Sequence, residues 1–480
     1  MKFKNRLVNS CNNITRKDFI KSSTLGMGAL LAGSFGIPVT SFSNTEKSTL
    51  LKNKPNVLII VADDAGWRDV GYHGSEIKTP TLDKLADENV QLNEFYVCPT
   101  CSPTRASLLT GKYPSRYGIL GPIGGKSTQA LPMDSMNLPK ALKQAGYTTA
   151  LTGKWHLGLS LETGPNHYGF DYTYGYLHGQ IDQYTHVYKN GDRSWHRNGK
   201  FIDEKGHATD LITNEAIKYI SEIRDKSKPF FLEVTFSVPH YPLQEEDRWI
   251  EPYKETIKNE SRRIFAASVS HLDSSINRIL ETLQKENLDK DTIVIFLSDN
   301  GGQENWLNTG KDYNGKHGPH DVLGDNRPLR DYKTSLYEGG IRVPSIVSWP
   351  GKLKHHVVDE AISVADILPT VAYLAGVKLD QNLNLDGKNV WSAIAEGGST
   401  GKREIYGRTK NQIALRYGEW KLVHNGSTPE KGKDELYNLK FDPNEKNDVA
   451  RVYPDIVKSL LERMRKISES DVIVDFPDAG

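Results

Sequence analysis

Cys101 opens the run Cys101-Ser102-Pro103-Thr104-Arg105, which continues as Ala106-Ser107-Leu108-Leu109-Thr110-Gly111-Lys112-Tyr113-Pro114. Arg105 lies about one helical turn from the cysteine and Lys112 stands at the far end of the segment. Two cations near one cysteine make an electropositive pocket that can hold an anion against a sulfur-derived nucleophile. The same residues admit another chemistry. Cys98-Pro99-Thr100-Cys101 is a C-x-x-C, the spacing of a disulfide or a redox pair.

Polar residues recur where apolar runs end. Residues 56–62 run into Asp63-Asp64, residues 147–152 into Lys154-Trp155-His156, residues 229–236 into Pro239-His240, and residues 292–297 into Asp299-Asn300. In open α/β sheets ligands bind outside the carboxyl ends of the strands, so these four ends are expected to face one crevice. Asp63, Asp64, Asp299 and Asn300 offer hard oxygen donors, which suit Ca²⁺, or less well Mg²⁺, and not zinc. Without a cation, three carboxylates would repel an anionic substrate; with one, the site becomes a Lewis-acid clamp on an anionic ester.

The elements that must hold these residues alternate in type. Residues 56–62 are apolar enough for a strand buried on both faces. Thr79-Pro80 opens a helix carrying Leu82, Leu85, Ala86 and Val90, and a second helix spans 138–145. Helices at 210–224 and 262–286 each precede a strand, and a further apolar strand covers 343–349. The pattern predicts an α/β domain with a central, mostly parallel sheet flanked by helices, over residues 46–374. From 375 to 480, short strands split by Gly, Asn and Pro predict a small C-terminal antiparallel sheet with a helix at 455–468.

The chain has 480 residues, 25% of them charged, and a formal net charge of +1, which gives no electrostatic basis for nucleic-acid binding. Residues 1–45 differ from the rest: Lys2, Lys4, Arg6, Arg16, Lys17 and Lys21 precede the small, apolar stretch 25–33. That is the layout of an export signal, too short and glycine-rich for a membrane span. Thr15-Arg16-Lys17-Asp18-Phe19 is similar to a twin-arginine leader with lysine in the second place. The expectation is an exported, periplasmic bacterial protein with the leader removed.

Residues 101–105 match Cys-x-Pro-x-Arg and so resemble the signature of the type I sulfatases, of the alkaline phosphatase-like superfamily, and the Leu-Leu-Thr-Gly-Lys-Tyr-Pro extension strengthens the match. Segments 56–67, 153–158, 237–240, 297–302 and 330–344 resemble further motifs of that family in order. The resemblance implies that Cys101 is converted to formylglycine by a formylglycine-generating or sulfatase-maturating enzyme. It implies calcium on Asp63, Asp64, Asp299, Asn300 and the modified Cys101. Arg105 and Lys112 would hold the aldehyde hydrate beside His156, and Lys154, His240 and Lys333 would contact sulfate. One hydroxyl of the hydrate would attack sulfur while His240, or a neighbouring lysine, protonates the leaving alcohol. His156 would then deprotonate the second hydroxyl to release sulfate.

The substrate is expected to be a sulfated poly- or oligosaccharide. Segment 167–197 is crowded with aromatics and histidines, among them His178, Tyr184 and Trp195, which suit stacking on sugar rings. A second loop, 302–330, carries Trp306, Lys311, His317, His320 and Arg327 and could reach the same pocket. Three rivals stand beside this reading: an arylsulfatase on small aryl sulfates, a formylglycine-dependent phosphonate monoester or phosphodiester hydrolase, and a non-catalytic exported protein with a Cys98–Cys101 disulfide.

Overall fold

The computed structural model describes residues 54–307, 310 and 312–472; the leader and Lys311 lie outside the described residues. Strand β1 (Asn56–Ala62) lies at the middle of the structure because every one of its side chains is apolar or buried. Val57, Ile59 and Val61 enter one core, and Leu58, Ile60 and Ala62 enter another on the opposite face. This is the period of two expected of a strand covered on both sides.

The remaining strands of the large sheet are β2 (Val90–Leu92), β4 (Thr148–Lys154), β5 (Tyr172–Tyr176), β6 (Trp195–Arg197), β7 (Lys200–Phe201), β8 (Phe230–Thr235), β9 (Thr292–Ser298), β10 (Ser345–Ser348) and β11 (His356–Val358), while β3 (Phe95–Tyr96) pairs apart with β12 (Ile362–Ser363). The ten-stranded order is β11-β2-β10-β9-β1-β8-β4-β5-β6-β7. From β9 to β5 every pairing is parallel, and β10 and β6 run antiparallel at either side. Helices Pro80–Glu88, Ala208–Lys218 and Glu260–Lys285 contribute to one core, and Cys101–Thr110, Leu138–Gln144 and Ile367–Leu374 to the other. The mostly parallel α/β architecture read from the sequence is therefore present. Val90 is a correction: Glu88 ends the helix, and Val90 begins β2 because that apolar side chain is needed on the sheet.

The C-terminal sheet contains β13 (Glu404–Arg408), β14 (Ile413–Tyr417), β15 (Trp420–Thr428) and β16 (Lys431–Asn438), all antiparallel neighbours. One face packs Leu415, Leu422 and Leu436 against Leu460 and Met464 of helix Pro454–Ser468. The other packs Ala414, Val423 and Tyr437 against Tyr96, Leu336, Tyr337 and Ile341. Within this second interface Lys421 of β15 is buried with its Nζ 2.9 Å from Glu338 Oε1 and 2.8 Å from Glu445 Oε1. Glu445 in turn accepts a hydrogen bond from the Glu338 backbone N–H at 2.6 Å.

Removing that one cation would leave two buried carboxylates facing each other, the situation in which breaking an ion pair is strongly destabilising. Lys421→Met is expected to lower unfolding stability by about 3–5 kcal/mol, read as a lower urea midpoint at unchanged slope.

Candidate active site

The site is built where four adjacent strands end. In the order β9, β1, β8, β4 they deliver Asp299-Asn300, Asp63-Asp64, His240 and Lys154 with His156. Ala62 and Ser298 pair in register, so Asp63 and Asp299 leave the sheet side by side, and the Asp299 N–H donates to Ala62 O at 3.0 Å. Gly153, at φ 118°, lets β4 approach β8 so closely that a Cβ there would lie 1.8 Å from Thr235 O. Asp64 (φ 74°), His156 (φ 58°) and Thr334 (φ 80°) all hold left-handed backbone, a strain that L-residues keep where surrounding structure enforces it.

Helix Cys101–Thr110 brings the cysteine to this edge, and all ten of its residues are buried. Cys101 takes the first helical position, and Pro103 is tolerated because first-turn N–H groups have no intrahelical partner. Arg105 lies one turn below on the same face, donates to Asp299 Oδ2 at 2.8 Å and reaches Lys154 O at 3.1 Å. One ligand atom each from Asp63, Cys101 and Asp299 lies within 4.8 Å of the others.

Three carboxylates and three cations are buried together. Lys154 Nζ lies 2.6 Å from Asp63 Oδ2, Lys333 Nζ lies 2.7 Å from Asp64 Oδ1, and Arg105 holds Asp299. Burial and the neighbouring Asp299 push Asp63 up to about 8, although Lys154 opposes them. Burial also disfavours charge on Asp64, but Lys333 and His240 outweigh it and bring the group to about 2. Burial pushes the Cys101 thiol up even with Lys154 and Lys333 nearby, the opposite of what a reactive thiolate needs. Cys98 and Cys101 are both free thiols, so no disulfide joins them.

The residues fit a hard cation. Asp63 Oδ1 and Asn300 Oδ1 are buried oxygens with no hydrogen-bond partner. The Asn300 amide nitrogen is already spent on Asp64 Oδ1 at 2.7 Å and Gly301 O at 2.9 Å, which leaves its oxygen free as a donor to metal. Oxygens of Asp63, Asp64, Asp299 and Asn300 are the set preferred by Ca²⁺ or Mg²⁺.

The two histidines differ in how they are held. His156 Nε2 sits 2.8 Å from Ile123 O and so carries the proton, leaving the buried Nδ1 as an unpartnered lone pair. Burial, with Lys154 and Arg105, keeps its pKa well below the ordinary histidine value. His240 uses Nδ1 on Tyr241 O at 2.6 Å, and its Nε2 faces Asp64 Oδ2 at 3.7 Å. Burial and Lys333 bring it down to about 3.

Several residues do not join the cluster. Lys112 follows Gly111, the left-handed cap of the helix, so it stands roughly 16 Å along the helix axis from Cys101 at the usual rise per residue. Gly111 O there accepts from the backbone N–H groups of Asp386 and Gly387. Trp195 is 3% exposed and fixed in the core, stacked 4.5 Å from His186 with Nε1 on Glu204, so it cannot stack on a sugar. Tyr184 is exposed and meets His207 in a T-shaped ring pair at 5.2 Å. His178 is buried, bonded to Ser194 Oγ at 2.9 Å and stacked on Tyr188, whose hydroxyl accepts from Gly125 near the Ile123 carbonyl that orients His156.

Sequence reasoning missed Asp182, which joins both long loops: it caps the backbone of Tyr184 and Thr185 and accepts from Lys316 at 2.6 Å and His317 at 2.9 Å. Nothing in its sequence context marks it. Trp306 of the second loop lies parallel to Tyr241 at 4.8 Å and 5.6 Å from His240.

Comparison with known proteins agrees with this geometry. The family profile "Sulfatase" matches residues 55–377, and "N-sulphoglucosamine sulphohydrolase, C-terminal" matches residues 331–470. Arylsulfatase J of Mus musculus is 35% identical over 90% of this chain and 79% of its own length. N-acetylgalactosamine-6-sulfatase of the same species is 30% identical over 76% of this chain and 71% of its own. The crystal structure of Ps i-CgsB in complex with k-i-k-neocarrahexaose is similar with a TM-score of 0.79 and 31% identity, over 88% of this chain and 95% of that one. The chain belongs to the sulfatase family, and it is a sulfuric ester hydrolase.

A second group of ligand-type residues, His207, Glu245 and His271, lies apart from the strand ends. His207 spends both ring nitrogens, accepting from Thr209 N at Nδ1 and donating to Gln244 O at 2.7 Å, so it has no lone pair left for a metal. His271 is the charged member, 3.0 Å from Glu245 Oε2 and 3.6 Å from Asp210 Oδ1. Burial opposes its protonation, but Asp210 and Glu245 outweigh it and raise its pKa from 6.5 to about 9. A group raised on folding stabilises fully below its unfolded pKa and loses that contribution as pH rises through the folded one. Stability is therefore expected to fall between about pH 6.5 and pH 9, with the slope flattened in His271→Gln when unfolding is followed across that range.

Proposed function

We propose that this sulfatase works with formylglycine at position 101 and calcium, and that its substrate is a sulfated saccharide. The observation that carries the catalytic part is the convergence of Asp63, Cys101 and Asp299 within 4.8 Å, ringed by Lys154, Lys333 and Arg105. A calcium ion there would be held by Asp63, Asp64, Asp299, Asn300 and residue 101, and would supply Lewis-acid stabilisation of the sulfuryl charge. Formylglycine would supply a hydrated aldehyde, whose two hydroxyls allow attack and later release, which serine cannot provide.

The chain's own residues supply the rest. Lys154 and Lys333 neutralise the anion in a buried setting where their charge counts for more than in water. His156, with Nε2–H fixed on Ile123 O, presents Nδ1 as a proton acceptor. His240, with Nδ1–H fixed on Tyr241 O, turns Nε2 toward the site, where once protonated it would serve the leaving alcohol as general acid. The Cys98–Cys101 redox reading loses support because burial raises both thiols, against the thiolate that such a pair needs.

The saccharide assignment is supported by relatives named for N-acetylgalactosamine 6-sulfate and by the similar structure crystallised with a neocarrahexaose. Discrimination is assigned to the junction of the two loops at Asp182, with His317 and Lys316, and to Trp306 beside His240. Trp195, fixed in the core, is not part of it. No helix among the described residues is long and apolar enough to cross a membrane; export rests on the leader sequence and predicts a mature N-terminus beyond it.

Cys101→Ser is expected to abolish turnover with the fold retained, whereas Cys98→Ala stays within a few fold; equal loss in both would restore the redox reading. Asp63→Ala should lose both bound calcium and activity by elemental analysis and assay, and stoichiometric zinc in active enzyme would overturn the metal assignment.

His317→Ala should lower kcat/KM on a sulfated oligosaccharide far more than on a small aryl sulfate, since sugar contacts count selectively. Equal losses on both, or no activity on any of a panel of sulfated oligosaccharides, would remove the saccharide assignment.

A further inference from the structure

Tyr176 is the last residue of β5 and pairs in register with Lys154, the last residue of β4. Residues paired in this way project from the same face of the sheet, on strands about 4.8 Å apart. Lys154 uses that direction to reach Asp63 Oδ2 at 2.6 Å. Tyr176 is 0% exposed, and its hydroxyl has no hydrogen-bond partner.

Four other tyrosines along this segment are satisfied. Tyr168 donates to Leu131 O, Tyr172 to Glu215 and Tyr174 to Glu204, while Tyr188 accepts from Gly125. The Tyr176 ring is held by the neighbours expected from sequence to bind sugar. Trp195 lies parallel to it at 6.3 Å, and Trp195 is itself fixed by Glu204 at 3.1 Å and by His186. A buried hydroxyl without a partner is costly, and phenylalanine would fill the same apolar space without that cost. After burial, the charges acting most on the phenol are those of Asp63, Arg105 and Asp299, and the group is pushed well above its ordinary range, which keeps it a neutral donor.

We propose that Tyr176 is a further catalytic residue, whose hydroxyl donates a hydrogen bond to an oxygen of the sulfate group bound beside Lys154. The aromatic segment 172–197 then has a structural purpose: it aims this hydroxyl and does not line the sugar site at Trp195. The proposal rests on the sulfate-ester reading of the site. It predicts that Tyr176 senses the anion and not the alcohol attached to it.

The test is Tyr176→Phe in the mature, metal-loaded protein, with three readouts: kcat/KM on a small aryl sulfate and on a sulfated oligosaccharide, calorimetric binding of inorganic sulfate, and the thermal midpoint. The expected result is a loss of about 10- to 100-fold in kcat/KM, the size of one hydrogen bond to a charged group, equal on both esters. Inorganic sulfate should bind more weakly, and the midpoint should stay unchanged or rise. Wild-type kcat/KM and wild-type sulfate binding in the variant would overturn the proposal, leaving the hydroxyl as an uncompensated core group. A fall in midpoint with activity restored at lower temperature would overturn it as well, in favour of a structural role. If the wild-type protein binds sulfate through Tyr176 but hydrolyses neither ester, the hydrolytic reading of the site fails while this contact stands.

Discussion

The structure depends on keeping three carboxylates and three cations out of water in one place. Asp63, Asp64 and Asp299 are 0%, 2% and 0% exposed, and burying a charge costs several kcal/mol unless a partner of opposite sign is in contact. Each carboxylate has such a partner, in Lys154, Lys333 and Arg105, and each partner arrives from a different part of the chain. The sheet must end in register at β1 and β9 to set the two acids side by side. The helix beginning at Cys101 must be buried throughout to carry Arg105 to Asp299. Because these requirements are met together, the cysteine stands at the focus of the cluster with an orientation fixed before any ligand arrives.

The C-terminal sheet belongs to this arrangement. Lys333 lies on a segment pinned by Gly302 O to its N–H at 3.1 Å, and the turn Glu338–Ile341 packs so tightly on Gly301 that a Cβ there would lie 1.8 Å from Gly339 O. Glu338 is anchored from the other side by Lys421 and Tyr96, both within 2.9 Å. Buried charge thus links β15 to the segment that delivers Lys333, and through Gly301 to Asn300. Small sheets attached to α/β domains often supply surface; this one supplies a counter-charge.

Aromatic side chains show how one composition can serve two purposes. The crowd of tyrosines, tryptophan and histidines in 167–197 has the make-up of a sugar-binding surface, yet most of it packs on β5 and β6. Stacking, hydrogen bonds to Glu204 and Glu215, and burial consume the rings that a saccharide would need. The second loop keeps Trp306 5.6 Å from His240, and its Lys316 and His317 tie it to the first loop at Asp182.

The amino-acid sequence by itself determined the alternation of strands and helices, the strand-end acids and histidines, and the oxygen-donor character of the cluster. These are local: an apolar run, the polar residue that stops it, and the preference of ligands for the carboxyl ends of strands need no distant information. Only tertiary structure decided that Lys112 stands past the end of the helix, roughly 16 Å along its axis from Cys101. Only it showed that Trp195 is core, that Lys421 closes a charge clasp, and that Asp182 joins two loops. Burial and partnership are properties of pairs of residues, separated by 269 positions for Lys333 and Asp64, and no local pattern encodes them.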